Sequence, residues 1–292
     1  KYFFLFMSEK NLTLLTFGCQ MNKYDSEKMV GLLENSGIRL TDNLDTADVI
    51  ILNTCSIREK AEHKVYSQLG RLTPLKKKNP NLIIGVGGCV AQIQGAKILQ
   101  RAPQVDLVFG TLNINKLPKF IREIEETGAR ISDIDSDSDI DTDSAAIKRE
   151  GAVHAWVNIM HGCDNYCSYC VVPYTRGREK SRSREAILTE IRGLSEKGFK
   201  EITLLGQNVN SYGKDTDEGI DFPDLLSLID KIEGIKRIRF ITSHPKDLSD
   251  KLIKAMAELP KVCESLHLPI QAGSDSVLQN MKRGYTSGEY LK

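Results

Sequence analysis

The sequence predicts an α/β fold in two parts, a parallel-sheet domain followed by a partial (β/α) barrel. Three observations carry this. Apolar strand-like runs alternate with amphipathic helix-like runs from Leu12 onward, the pattern of βαβ units. Runs such as Val49-Ile50-Ile51-Leu52 are continuously apolar, as strands covered on both faces require. The alternation is interrupted once, at Ile131–Asp143, which holds six aspartates and no basic residue. A length of 292 residues also suits about two domains, each large enough for its own core.

In the first part, Leu12–Phe17 reads as a strand and Tyr24–Asn35 as a helix stopped by Gly37. Asp48–Asn53 and Leu82–Val86 are further strands, Arg58–Leu72 is a second helix, and another helix starts at Ala91. Val105–Phe109 completes the set of strands. The aspartate-rich stretch superficially suggests a calcium loop. Counting from Asp133, however, Ser138 and Ser144 occupy the positions where an EF-hand needs Gly and Glu, which excludes it. A solvated, self-repelling linker over 131–148 is expected instead. Four strand candidates follow it: Ala152–Met160, Glu201–Leu205, Arg237–Thr242 and Ser265–Ile270. They alternate with helices expected at Arg184–Lys197, Pro223–Glu233, Leu248–Glu258 and Ser274–Met281. The expected division is a disordered tail over 1–10, an α/β domain over 11–130, the linker, and an incomplete barrel over 149–292.

Composition places the chain among soluble globular proteins, with 40% hydrophobic and 27% charged residues. No apolar run approaches the roughly 20 residues of a membrane span. The opening Lys1–Met7 lacks the features of a secretory signal, and Met7 suits a natural start. A cytoplasmic, monomeric protein is expected. Net charge is +1; setting aside the −6 of the acidic stretch leaves the remainder at +7, compatible with an RNA partner. Seven cysteines in a chain without a secretion signal argue for metal or redox chemistry over a disulfide framework.

Cys163, Cys167 and Cys170 form a CxxxCxxC loop directly after the strand candidate that contains Trp156–Met160. In parallel βα architectures, loops at strand C-termini carry the chemistry. Three thiolates can hold three irons of a [4Fe–4S] cube and leave the fourth open. A structural zinc site ordinarily takes four ligands in paired spacing, and only His161 stands nearby. A ferredoxin-like carrier would need a fourth cysteine. The run His161-Gly162-Cys163-Asp164-Asn165-Tyr166-Cys167-Ser168-Tyr169-Cys170-Val171-Val172-Pro173-Tyr174-Thr175-Arg176-Gly177-Arg178 resembles the radical S-adenosylmethionine (SAM) methylthiotransferases, and within them the MiaB type that modifies tRNA. That resemblance implies SAM bound at the open iron and cleaved reductively to a 5′-deoxyadenosyl radical.

Cys19, Cys55 and Cys89 each lie just beyond a predicted strand of the first domain. Loops at the C-terminal edge of one parallel sheet can converge, so these thiols could share one metal site; three unrelated core cysteines are the alternative. The family resemblance implies that they bind an auxiliary [4Fe–4S] cluster, with Gly18-Cys19-Gln20-Met21-Asn22 and Asn53-Thr54-Cys55 matching its motifs. Cys263 belongs to neither set and is expected to be a buried bystander.

Arg176, Arg178, Lys180, Arg182 and Arg184 alternate after the cysteine loop, and at strand spacing they would share a face. A solvated face and contact with tRNA phosphates are the two readings, with Arg176, Arg178 and Arg182 as RNA-binding candidates. Gln207 and Asn208 after the second barrel strand, Ser243 after the third and Gln271 after the fourth are carried as SAM contacts, while His244 reads better as a capping residue than as an acid or base. The resemblance further implies methylthiolation of carbon 2 of N6-isopentenyladenosine at position 37 of tRNA. It calls for a sulfur source and an electron donor such as flavodoxin or ferredoxin. It also implies later barrel strands and a C-terminal RNA-binding (TRAM) domain, neither of which lies within these residues. Modification of a ribosomal-protein aspartate (the RimO type) and a non-catalytic metal-binding module are the competing readings.

Overall fold

The computed structural model describes residues 10–56, 59–135 and 147–292. The expected tail therefore lies almost wholly outside the described residues, as does most of the aspartate-rich stretch. Two compact units are present among the described residues, one over 10–135 with 147–148 and one over 149–292. No helix among the described residues is long and apolar enough to cross a membrane.

The first unit contains β1 (Lys10–Thr16), α1 (Gln20–Glu34), β2 (Ile38–Leu40), β3 (Val49–Thr54), α2 (Glu59–Lys78), β4 (Ile83–Gly88), α3 (Cys89–Gln94), α4 (Ala96–Arg101), β5 (Leu107–Phe109), α5 (Leu117–Thr127) and β6 (Ile131–Asp133). Its sheet is wholly parallel in the order β2-β1-β3-β4-β5-β6. Side-chain alternation explains why it is covered twice. Val49 and Ile51 of β3 pack with Met29 and Leu33 of α1 and Phe120, Ile121 and Ile124 of α5. Ile50 and Leu52 face Val65, Leu69 and Leu72 of α2 and Ile98 of α4 on the other side. The order reverses between β1 and β3, the kind of switch point where ligands bind in open α/β sheets.

Three expectations need correction here. The helix from Ala91 is two short helices, broken at Gly95 in the left-handed region with φ +48. The second helix passes Leu72 and runs through Pro74 to Lys78. The linker does not begin at 131, because Ile131–Asp133 adds a sixth strand alongside β5. Asp133, read as linker charge, accepts from Asn113 Nδ2 at 2.6 Å and pairs with Lys116 at 2.8 Å.

The second unit contains β7 (His154–Asn158), β8 (Met160–His161), α6 (Val172–Arg176), β9 (Lys180–Ser181), α7 (Arg184–Glu196), β10 (Glu201–Leu205), α8 (Phe222–Asp230), β11 (Arg237–Phe240), α9 (Asp250–Glu258), α10 (Asp275–Asn280) and α11 (Ser287–Leu291). β10 lies between β7 and β11 in a parallel three-stranded sheet. Its buried Ile202 and Leu204 share one core with Val157, Ile187, Ile191, Leu225 and Leu226. β8 and β9 form a short antiparallel pair. A buried ionic clip fixes α7 to the start of the sheet: Glu190 takes Arg182 Nη1 at 2.7 Å and also Arg149, which itself reaches Trp156 O at 2.6 Å.

The fourth barrel strand expected at Ser265–Ile270 does not form. The chain there runs beside β11 with only an isolated bridge from Ile238 to Val262 and one bond from Ser243 N to His267 O. Pro269 has no N–H to give, and the carbonyls of Leu268 and Ile270 are taken by the hydroxyls of Tyr290 and Tyr285 at 2.7 and 2.6 Å.

Candidate functional site

Two cysteine sites lie at strand C-termini, one in each unit. In the first unit the sheet register sets the cysteines level. Thr16 pairs with Asn53, and Asn53 pairs with Gly87, on three adjacent strands. Cys19 follows its marker by three residues, and Cys55 and Cys89 follow theirs by two. All three therefore emerge at one sheet edge, beside the switch point between β1 and β3. Cys55 and Cys89 are buried and Cys19 is half-buried at the N-cap of α1.

The close approach of these loops needs glycine. Gly18 has φ +136, and a Cβ there would stand 2.6 Å from Cys55 Cβ. Gly88 has φ +89, and a Cβ there would stand 2.2 Å from Thr54 O. Polar bonds lock the arrangement. Asn22 Nδ2 donates to Asn53 Oδ1 and Thr54 O, both at 3.0 Å, and Asn53 Nδ2 returns a bond to Asn22 O at 2.8 Å. Thr54 Oγ1 donates to Gly87 O at 2.6 Å, and Cys19 Sγ lies 3.3 Å from Asn22 Oδ1. Asn22 and Asn53 lie within the cysteine motifs of the sequence, but their locking role shows only in the fold, where both are fully buried.

In the second unit, Cys163, Cys167 and Cys170 sit in the connection from β8 to α6, inside the longer segment from His161 to Lys180 whose ends the β8–β9 pair draws together. Cys163 N continues that ladder to Gly177 O at 3.3 Å. Gly162, φ +72, lies so close to Arg178 that a Cβ would meet its carbonyl oxygen at 1.9 Å. Asp164 holds Arg178 through two bonds of 2.8 and 2.9 Å, and this lowers the Asp164 pKa. Asn165 accepts from Lys246, and Ser168 is tied through N and Oγ to Met281 O and Asn280 O at 3.1 and 3.0 Å. Arg283 Nη1 donates to Cys167 Sγ at 3.2 Å. None of Lys246, Asn280, Met281 and Arg283 was singled out from the sequence, since they meet the loop only through tertiary packing.

Burial, with smaller contributions from Glu179 and the neighbouring cysteines, pushes the Cys163 thiol up to about 11, and burial also raises Cys170. Metal ligation would have to displace those protons. Among the described residues no group of three or more His, Cys, Asp or Glu is gathered to hold a single metal ion. A cuboidal cluster takes one thiolate per iron and so requires a wider spread of thiols than a mononuclear ion. Three thiols on one short loop, two of them buried and the third half-buried, are the right donor set for three of its irons.

Among the described residues, the C-terminal edge of the second sheet also presents buried polar atoms without a partner: Asn158 Oδ1 at the end of β7, both amide atoms of Gln207 and Asn208 Oδ1 after β10, and Ser243 Oγ and His244 Nε2 after β11. Buried orphans of this density mark a place built for a polar ligand. Gln207, Asn208 and Ser243, expected as SAM contacts, are thus within this set, and Asn158 and His244 join it. Asn208 Nδ2 is committed to Asp247 at 2.7 Å. His244 Nδ1 accepts from Lys246 N at 3.2 Å, the capping role expected of it. Gln271 has φ +72, an uncommon strain for a side-chain-bearing residue; Tyr166 and Thr242, also at the site's loops, share it with φ 45 and 66.

The basic residues do not share one face, which corrects the reading of their alternation. Arg176 ends α6 and is buried. Arg182 is buried and engaged by Glu190 and by Asn158 O, so neither is open to phosphate. Arg178 remains exposed beside the loop. Cys263 is half-buried and outside both triplets, its N–H bonded to Ile238 O at 2.9 Å. Tyr166, Tyr169 and Tyr174 are 43%, 51% and 71% exposed, an aromatic patch around the loop that no spacing rule revealed. Tyr166 and Tyr174 meet edge to face at 6.2 Å.

Residues 11–110 match the uncharacterized protein family UPF0004, and residues 157–292 match the radical SAM superfamily. A curated relative from Thermoanaerobacter sp. (strain X514), a tRNA-2-methylthio-N(6)-dimethylallyladenosine synthase, is 53% identical over 95% of this chain and 59% of its own length. A relative of the same name from Carboxydothermus hydrogenoformans is 50% identical over 98% of this chain and 65% of its own. The chain therefore spans about three-fifths of the curated relatives it matches. Among solved structures, the radical SAM methyltransferase TsrM from Kitasatospora setae, with cobalamin and a [4Fe–4S] cluster bound, matches with a TM-score of 0.66 at 14% identity, over 96% of this chain and 66% of that one. The cobalamin-dependent SAM radical enzyme OxsB matches at 0.65 and 13%, over 97% of this chain and 47% of that one. These two likenesses speak for the fold alone. The paired family matches and the identity to these relatives establish that the chain belongs to the radical SAM methylthiotransferases, of the MiaB type.

Proposed function

We propose that this chain is the catalytic portion of an enzyme that adds a methylthio group to carbon 2 of N6-isopentenyladenosine at position 37 of tRNA. The observation that carries the reading is the presence of two cysteine triplets, each at the C-terminal edge of a parallel sheet. Cys163, Cys167 and Cys170 would hold the [4Fe–4S] cluster that binds SAM, and Cys19, Cys55 and Cys89 a second [4Fe–4S] cluster for sulfur delivery. When bound, these groups supply the one-electron chemistry that an unactivated aromatic C–H demands, since no side-chain base can deprotonate that carbon.

The protein's own part is to orient and exclude. Gln207, Asn208, Ser243 and Asn158 offer buried donors and acceptors to the polar groups of SAM. Gln271, at its strained position, is a further candidate contact. Tyr166, Tyr169 and Tyr174 offer faces on which unpaired bases of an anticodon loop stack. Arg178, exposed beside the loop, would contact a phosphate. A sulfur source and a low-potential electron donor such as flavodoxin or ferredoxin complete the partners, in the cytoplasm.

The deciding experiment incubates the anaerobically reconstituted chain with SAM, reductant and tRNA, with and without the isopentenyl group, and digests the tRNA for nucleoside mass spectrometry. A gain of one methylthio group on isopentenylated tRNA only is expected. Modification of a ribosomal-protein aspartate instead, or a colourless zinc-loaded protein, would overturn the reading. Arg178→Ala should weaken tRNA binding and reduce its salt slope by about 1, as loss of one phosphate contact does.

A further inference from the structure

Arg283 is 5% exposed, in the segment just after α10. Its guanidinium donates to Cys167 Sγ, Tyr169 Oη and Tyr285 Oη, each at 3.2 Å. Among the described residues no carboxylate pairs with it. A buried charge ordinarily has an opposite charge beside it, because desolvation is costly. None of its three partners is a carboxylate. The missing anion has an evident location, since the sulfur that Arg283 touches becomes a thiolate once it ligates iron. The contact is also rigidly set. Tyr285 accepts from Arg283 Nε and gives its own proton to Ile270 O at 2.6 Å, while the guanidinium lies 5.4 Å from the centre of the Tyr285 ring.

We propose that Arg283 is a positioning residue that balances the charge of the cluster held by Cys163, Cys167 and Cys170 and raises its reduction potential through the hydrogen bond to Cys167 Sγ. The inference rests on the reading of that loop as the cluster site. Hydrogen bonds and positive charge at a ligating sulfur favour the reduced, more negative cluster. Reduction adds one electron to the cluster from an external donor, and no bond is made or broken in that step. A Tyr169 hydroxyl sharing the same Nη1 adds a second polar tie at the cluster's border.

The test uses the full chain reconstituted with ferrous iron and sulfide, in a Cys19→Ala, Cys55→Ala, Cys89→Ala background so that one cluster type remains. Dithionite titration with mediator dyes, followed by electron paramagnetic resonance, gives the midpoint. Poised at the wild-type midpoint, Arg283→Gln is expected to show an oxidised-to-reduced ratio raised about tenfold, a shift of about 59 mV to more negative potential for one electron. Arg283→Lys should recover part of it. A ratio changed less than twofold in folded, iron-loaded Arg283→Gln would overturn the proposal and leave a merely structural latch. Should that variant fold poorly, Tyr285→Phe, which frees the guanidinium, decides with a smaller shift of the same sign or none. Failure of the unsubstituted loop to take up iron would instead defeat the cluster reading itself.

Discussion

At the scale of single residues, Asn22 and Asn53 show how a thiol-bearing edge is made firm. Both are fully buried, and their amides are mutually bonded across α1 and β3. Asn53→Ala removes two donated bonds and one accepted bond inside the core. It should cost about 1–3 kcal/mol in denaturant unfolding and lower the iron retained by the first unit. His244 makes a second residue-scale case. Burial, with Arg283 nearby, pushes its pKa down from 6.5 to about 4, and Lys246 and Lys214 act in the same direction against Asp247. The native imidazole is neutral, so between pH 6.5 and about 4 the unfolded chain binds a proton that the native chain does not. Stability therefore falls on acidification through that window, and His244→Gln should flatten the decline of the thermal midpoint. The cysteines were legible from spacing and strand position. Their asparagine, arginine and tyrosine partners were not, because those contacts depend on register and on residues far along the chain.

At the scale of elements, apolar-rich or alternating runs located β1, β3, β4, β5, β7, β10 and β11. β2 and β6 were not read as strands, since three residues such as Ile38-Arg39-Leu40 carry too little pattern and Ile131-Ser132-Asp133 sits inside an acidic run. Neighbouring strands supply what local sequence lacks there. The reverse holds at Leu266, Leu268 and Ile270, whose alternation reads as a strand while tyrosine hydroxyls claim the carbonyls. Alternating basic residues misled for a related reason: Arg176 closes a helix and Arg182 serves the buried clip to Glu190. That clip gives an element-scale prediction. Glu190→Ala leaves two buried guanidinium groups without their shared carboxylate and should destabilise the second unit by about 3–5 kcal/mol, measured by chemical denaturation.

At the scale of the whole molecule, each triplet is complete within its own unit. Each should then load independently. Replacing Cys19, Cys55 and Cys89 by Ala should leave about four of roughly eight irons per chain, and replacing Cys163, Cys167 and Cys170 should leave the other four, by iron analysis of folded protein. An equal and total loss in both variants would speak against separate sites.

The ties from Ser168 to Asn280 and Met281 carry a consequence for biogenesis. Ser168 waits for a partner 112 residues further along, whereas the strands and helices that frame the first three thiols are translated by Asp133. Because domains fold as units while the ribosome is still working, the earlier metal centre can mature on a nascent chain. The later one can do so only after the polypeptide has emerged past Arg283.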